Sequence, residues 1–293
     1  MIELRTQIDI ITYQSISIGV LRLDLLDKDI SGNKWFKLKY NLQQAKLAGK
    51  DSIITFGGAF SNHIVATAVA CKKAGLQSYG IIRGEESAQT NPTLSYAKQH
   101  GMNLLFVSRN EYAQKTDGAY LQRLHYMYPT AFIIPEGGNN LLGEKGCQEI
   151  LTTQTNIYNK LFCAVGTGAT FNGMAQSLLP HQYLFGVNVL KYEANSLYQQ
   201  AEMLNAYHFG GYAKHTKELL DFKHFFESTY HIPLDYVYTA KSFYAAFDYI
   251  NQKKIKPDDK LLIVHCGGLQ GNAGYEQRYN LSPNRQVNDA HGK

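Results

Sequence analysis

The chain has 293 residues, 44% of them hydrophobic and 18% charged, with a formal net charge of +5. That length supports a full core and two lobes, and the charge is too mild and too dispersed for a nucleic-acid surface. No run of about twenty apolar residues suggests a membrane span, and the four scattered cysteines and ten histidines form no metal-binding spacing.

The N-terminus, MIELRTQIDIITYQ, carries acidic and polar residues early and lacks a signal-peptide pattern, so a cytoplasmic location is expected. An apolar, β-rich segment from Ile16 to Leu26 precedes Ser31-Gly32-Asn33-Lys34, and helical spacing then follows through Leu38, Leu42 and Ala45. Strand and helix patterns alternate from there, which predicts a parallel α/β architecture. Strands are expected at Ser52–Phe56, Gln77–Arg83, Asn103–Val107 and Thr130–Ile134. Helices are expected from Ser61 to Gly75, from Pro92 to near Gly101, and from Glu111 to Tyr126. This stretch, about 48–140, reads as a smaller α/β lobe; 1–47 and 141–293 would form the larger one. In the larger lobe, strands are expected at Leu161–Val165, Tyr183–Val189 and Leu261–His265. Helices are expected at Phe171–Leu179, Asn195–Ala206, Thr216–Tyr230 and about Lys241–Lys253, and the polar tail from Asn280 is expected to fray.

Three places carry chemistry. Lys34 would sit at a strand-to-helix corner, where the helix dipole disfavours a cation and partial burial lowers the amine's pKa. Such an amine is a nucleophile fit for a Schiff base. Gly166-Thr167-Gly168-Ala169-Thr170 joins a strand to a helix start and makes an anion cradle of backbone N–H groups and threonine hydroxyls. It is neither a P-loop nor a dinucleotide fingerprint, so a single phosphate suits it best; a plain turn is the alternative. Ser61-Asn62-His63 opens another helix and could bind a carboxylate, or Ser61 could simply cap. A reactive lysine, a monophosphate cradle and a carboxylate-sized anion site together fit pyridoxal 5'-phosphate and a small amino acid substrate.

The ordered segments SGNKWFKLKYNL, FGGAFSNHIVATA, PEGGNNLLGEKG, AVGTGATFNGM, HFGGYAK, VYTAK and IVHCGG resemble the 1-aminocyclopropane-1-carboxylate deaminase and D-cysteine desulfhydrase family. The resemblance covers about Arg22 to Gly268 and implies a two-lobed, parallel-sheet tryptophan synthase β-like fold (fold type II) and a homodimer. It implies that Lys34 links to the cofactor and shuttles the Cα proton, that Asn62 meets the cofactor's phenolic oxygen, and that Gly166 through Thr170 hold its phosphate. It further implies that Ser61, Asn62 and His63 grip the substrate carboxylate, with Ser61 also a proton-transfer candidate. Tyr238 would stack near the ring, Tyr230 would be a second active-site tyrosine, and Thr239 and Cys266 would stand nearest the pyridine nitrogen. The deaminases carry glutamate and leucine at those last two positions. A hydroxyl or thiol makes the ring a milder electron sink, which favours β-elimination from D-cysteine over opening a cyclopropane. Cyclopropane deamination and another lyase or racemase reaction on a small amino acid are the alternatives.

Overall fold

The computed structural model describes residues 6–27, 29–30, 32–85 and 91–281; Ser31 and the tail beyond Leu281 lie outside them. In chain order the first elements are β1 (Gln7–Tyr13), β2 (Ile16–Arg22), α1 (Asn33–Leu47), β3 (Ser52–Gly57), α2 (Asn62–Ala74) and β4 (Gln77–Arg83). Next come α3 (Pro92–Gln99), β5 (Met102–Val107), α4 (Arg109–Ala113), α5 (Gly118–Met127), β6 (Ala131–Ile134) and α6 (Leu141–Cys147). The chain continues through β7 (Lys160–Val165), α7 (Ala169–Gln176), β8 (Tyr183–Asn188) and β9 (Ala201–Leu204). It ends with α8 (Lys217–Tyr230), α9 (Thr239–Asn251), β10 (Leu261–His265) and α10 (Asn272–Tyr279).

The strands form two sheets, one in the order β1-β2-β10-β7-β8-β9 and one in the order β5-β4-β3-β6. Among the described residues only β1 runs antiparallel, against β2, and every other pairing is parallel. The central strands of the larger sheet read as continuous apolar runs because helices cover both faces. Ile18, Phe162, Leu261 and Ile263 point toward Phe226, Phe243 and Phe247 of α8 and α9. Their neighbours Leu161, Cys163, Leu262 and Val264 pack against Phe171 and Met174 of α7.

Helix α1 spans both units. Phe36 belongs to the core of the larger sheet, whereas Leu38, Leu42 and Ala45 pack on Ile53, Ala66 and Ile134 of the smaller. The segment expected within the larger lobe thus buries most of its apolar face against the smaller sheet.

Three local expectations change. The first strand, β1, was hidden by its polar residues; a turn at Gln14-Ser15, with φ of 46° and 65°, folds it onto β2. The expected helix at 111–126 is two helices, because Asp117 caps a new start at Gly118. The expected helix at 195–206 is instead β9, preceded by turns. Ala-Glu-Met-Leu has helix propensity, but the open edge of β8 supplies backbone partners and overrides it.

Candidate active site

The parallel strands of both sheets end at a shared cavity of about 540 Å³. Its position follows the rule that α/β folds bind ligands beyond the carboxyl ends of their strands. The corner before α1 builds the first wall. Gly32 precedes the helix with φ of 71°, and a Cβ there would stand 1.8 Å from the Cys266 carbonyl oxygen. Only glycine fits, and the Asn33 N–H donates to that carbonyl at 3.2 Å. Docked this way, Asn33 accepts from Lys34 Nζ at 2.5 Å and donates through Nδ2 to Thr170 Oγ1 at 2.7 Å. One amide therefore ties the lysine to the phosphate-type loop. Burial, then the nearby Lys37 charge, lower the Lys34 pKa from 10.5 to about 8.

The cradle lies where β7 meets α7. Gly168, with φ of 101°, turns the chain into the helix, so the first N–H groups of α7 have no intrahelical partner. Gly166, Thr167, Gly168 and Thr170 line the cavity. Ala169 is fully buried and can contribute only its backbone. Lys37, one turn after Lys34, also lines the cavity and is only 5% exposed. Its spacing from Lys34 turns it to the same side of α1. It brings a second buried amine to the lining, its pKa lowered by burial.

Helix α2 supplies the facing wall. Ser61 caps it, its Oγ accepting from Ile64 N at 3.4 Å. Asn62 is 7% exposed and lines the cavity, yet its Oδ1 has no partner. A buried amide in that state fits a ligand-facing role. His63 lines the cavity as well, but its hydrogen bonding limits what it can offer. The Thr55 hydroxyl donates to Ile134 O at 2.9 Å, so the contact of 3.0 Å with His63 Nε2 requires that nitrogen to carry the proton. Nδ1 is then a bare acceptor without a partner, and burial holds the imidazole well below its ordinary pKa. The ring cannot donate to a carboxylate; the backbone N–H groups at the start of α2 can.

Tyr238 lines the cavity, with Lys34 Nζ 5.9 Å from its ring centroid. Burial raises its phenol well above the ordinary value, and the neighbouring Tyr212 adds to this. Tyr212 also lines the cavity. Tyr230 does not: its hydroxyl donates to Thr12 O at 3.0 Å and its ring packs on Phe226 and Phe247. The tyrosine that stands beside Tyr238 is Tyr212, from the HFGGYAK segment, and Tyr192 lines the cavity as well. Thr239 is likewise set back from the cavity. It is fully buried, and its hydroxyl donates to Asp235 Oδ2 at 2.7 Å. Cys266 remains in the lining, its thiol pushed up to about 11 by burial. Among the described residues, no cluster of ligating side chains could hold a metal, and no helix is long and apolar enough to cross a membrane.

An activated lysine, a helix-capped anion loop beside it and an unpartnered amide opposite define an enzyme that carries a phosphorylated aldehyde on its lysine. The chain belongs to the pyridoxal-phosphate dependent enzyme family, whose model matches residues 20–267. A Pyrococcus horikoshii protein provisionally named a 1-aminocyclopropane-1-carboxylate deaminase is 28% identical, over 88% of this chain and 86% of its own. The mitochondrial bifunctional D-cysteine desulfhydrase/1-aminocyclopropane-1-carboxylate deaminase of Arabidopsis thaliana is 27% identical, over 87% of this chain and 73% of its own. A crystal structure of an ACC deaminase homologue superposes with a TM-score of 0.79 at 25% identity, covering 93% of this chain and 92% of that one. The architecture is fold type II of the pyridoxal phosphate enzymes.

Proposed function

We propose that the protein catalyses β-elimination on a small amino acid, with D-cysteine and water giving pyruvate, ammonia and hydrogen sulfide. The observation that carries this reading is the cavity wall at Cys266. Its thiol, with a pKa near 11, is neutral at physiological pH, and the one carboxylate in the lining among the described residues is Glu136. Glu136 is already engaged by Lys115 and Tyr112. The family resemblance sets Cys266 beside the pyridine nitrogen, where a thiol is a weak partner for a pyridinium. A milder electron sink suffices when a good leaving group departs from Cβ. Opening a cyclopropane demands more. Cyclopropane deamination is the second reading; the name of the Pyrococcus relative favours it, and that of the Arabidopsis relative covers both activities.

The bound cofactor supplies an aldehyde for the amine and a ring that withdraws electrons from Cα. The chain's own residues do the rest. Lys34 would be the base that takes the Cα proton, with Asn33 Oδ1 accepting from its amine and aiming it. Thr167, Thr170, the α7 amides and Lys37 would hold the phosphate, and Asn62, whose Oδ1 has no protein partner, would face the cofactor from the opposite wall. Ser61 and the free N–H groups at the start of α2 grip the substrate carboxylate. Tyr238 covers one side beside Lys34, and Tyr212 and Ser61 are its partners for proton transfer. The larger unit of 1–47 and 141–293, the smaller of 48–140, a homodimer and a cytoplasmic setting belong to the same reading.

Turnover of D-cysteine, L-cysteine, D-serine and 1-aminocyclopropane-1-carboxylate by the holoenzyme tests it. Pyruvate and sulfide from D-cysteine are expected. No pyruvate from D-cysteine, with 2-oxobutanoate from the cyclopropane acid, would select the second reading.

A further inference from the structure

The wall built by the smaller sheet carries a charge that neither the cofactor nor the substrate's α-carboxylate requires. Arg83 ends β4, Lys115 lies between α4 and α5, and Glu136 follows β6; all three line the cavity. Tyr112 of α4 sits among them, with the Arg83 guanidinium carbon 5.8 Å and Lys115 Nζ 4.9 Å from its ring centroid. Both Glu136 oxygens are committed, Oε1 to the Tyr112 hydroxyl at 2.8 Å and Oε2 to Lys115 Nζ at 3.5 Å. Lys115 is thereby compensated. Arg83 has no carboxylate partner among the described residues, and its Nη2 reaches to 3.6 Å from where a Cβ on Gly58 would stand. That position overhangs the loop leading into α2. The phosphate cradle has Lys37 and its helix amides, and the α-carboxylate has the start of α2. A surplus guanidinium beside both is placed for a third anion.

We infer that Arg83, backed by Lys115 on the Tyr112 ring, is a specificity-determining residue that binds the β-substituent of the substrate as an anion. The inference rests on the elimination reading. In that reaction the Cβ–X bond breaks and X leaves with the electron pair, so negative charge grows on X. A fixed cation there stabilises the departing group, or a charge it already bears. The substrate class is a small amino acid whose β-substituent is anionic or departs as an anion.

D-aspartate and D-asparagine are isosteric, differ in side-chain charge and carry no leaving group, so their dissociation constants isolate the subsite. Spectral or calorimetric titration of the holoenzyme is expected to give aspartate an advantage of about tenfold. Arg83→Gln should bring the two ligands within about twofold, and Glu136→Gln should widen the gap. Equal affinities in the wild type overturn the inference. So does an Arg83→Gln variant that weakens both ligands alike, because the guanidinium would then serve the α-carboxylate. Pyruvate release from β-chloro-D-alanine, a neutral substrate with a good leaving group, judges the elimination reading separately. If it is absent, that reading fails, whatever the aspartate ratio.

Discussion

At Lys34, burial and the Lys37 charge act in the same direction, and both favour the neutral amine. The deprotonated form is the one that attacks an aldehyde, so a pKa of about 8 sets the pH at which apoenzyme takes up cofactor. Below that value the rate of attachment should fall about tenfold per pH unit; above it the rate should level off. Stopped-flow absorbance of apoenzyme mixed with pyridoxal phosphate measures the profile. A midpoint near 10.5, the ordinary lysine value, would show that the site does not activate the amine. Lys37→Met removes a neighbouring positive charge and should move the midpoint upward. Lys34→Ala should abolish the lysine-linked absorbance and reduce turnover by at least about a thousandfold. These residues differ in how far they could be read from sequence. Lys34 and the glycine-threonine loop are local patterns, each bounded by its own strand and helix. Asn33, Lys37 and Tyr212 acquire their roles only from what folds against them, and an asparagine after glycine reads simply as a cap. Tyr230 failed for the same reason, since nothing local distinguishes it from Tyr212.

At the level of elements, the site depends on how tightly the corner before α1 docks on the end of β10. A methyl group on Gly32 would overlap the Cys266 carbonyl, with 1.8 Å between Cβ and oxygen, and the backbone there is left-handed. Gly32→Ala should therefore cost at least about 3 kcal/mol and loosen cofactor binding, as read by urea unfolding and cofactor occupancy. The other side of that junction is held by a buried polar cluster. Arg22 at the end of β2 donates to Asp24 through Nε at 2.9 Å and Nη2 at 2.7 Å, and through Nη1 to Asp9 at 2.6 Å. His265 places Nδ1 3.1 Å from Asp24 and Nε2 2.7 Å from the Pro233 carbonyl. Asp24→Asn removes one of the two carboxylates that pair with Arg22 and should cost about 1.5–3 kcal/mol in unfolding. A urea midpoint unchanged within error would contradict that account. The parallel strands were legible because burial on both faces makes them continuously apolar. The edge strands β1 and β9 were not, because their pairing with β2 and β8 is a tertiary fact.

In the whole molecule, the cavity takes its walls from two sheets that no backbone ladder joins among the described residues. Lys34 and Lys37 stand on α1, which packs into the cores of both units. The anion loop belongs to the larger sheet, whereas Asn62 and the start of α2 belong to the smaller. A cofactor held by the loop on one side and Asn62 on the other adds a direct link between the units beyond α1. Ligand that binds only the folded chain stabilises it by mass action, about 2.7 kcal/mol at a hundredfold excess over the dissociation constant. For a chain of this size the holoenzyme should melt about 4–5 °C above the apoenzyme from that effect alone. The covalent link to Lys34 tightens binding further, so Lys34→Ala saturated with pyridoxal phosphate should melt between the two. Calorimetry of all three forms makes the comparison. The apoenzyme should also show a broader transition, because that link is gone and only protein contacts such as those of α1 and of α10 with α3 couple the units. Equal melting temperatures for apoenzyme and holoenzyme would mean that the cofactor does not bridge the sheets, and the assignment of Asn62 to it would fall with that result.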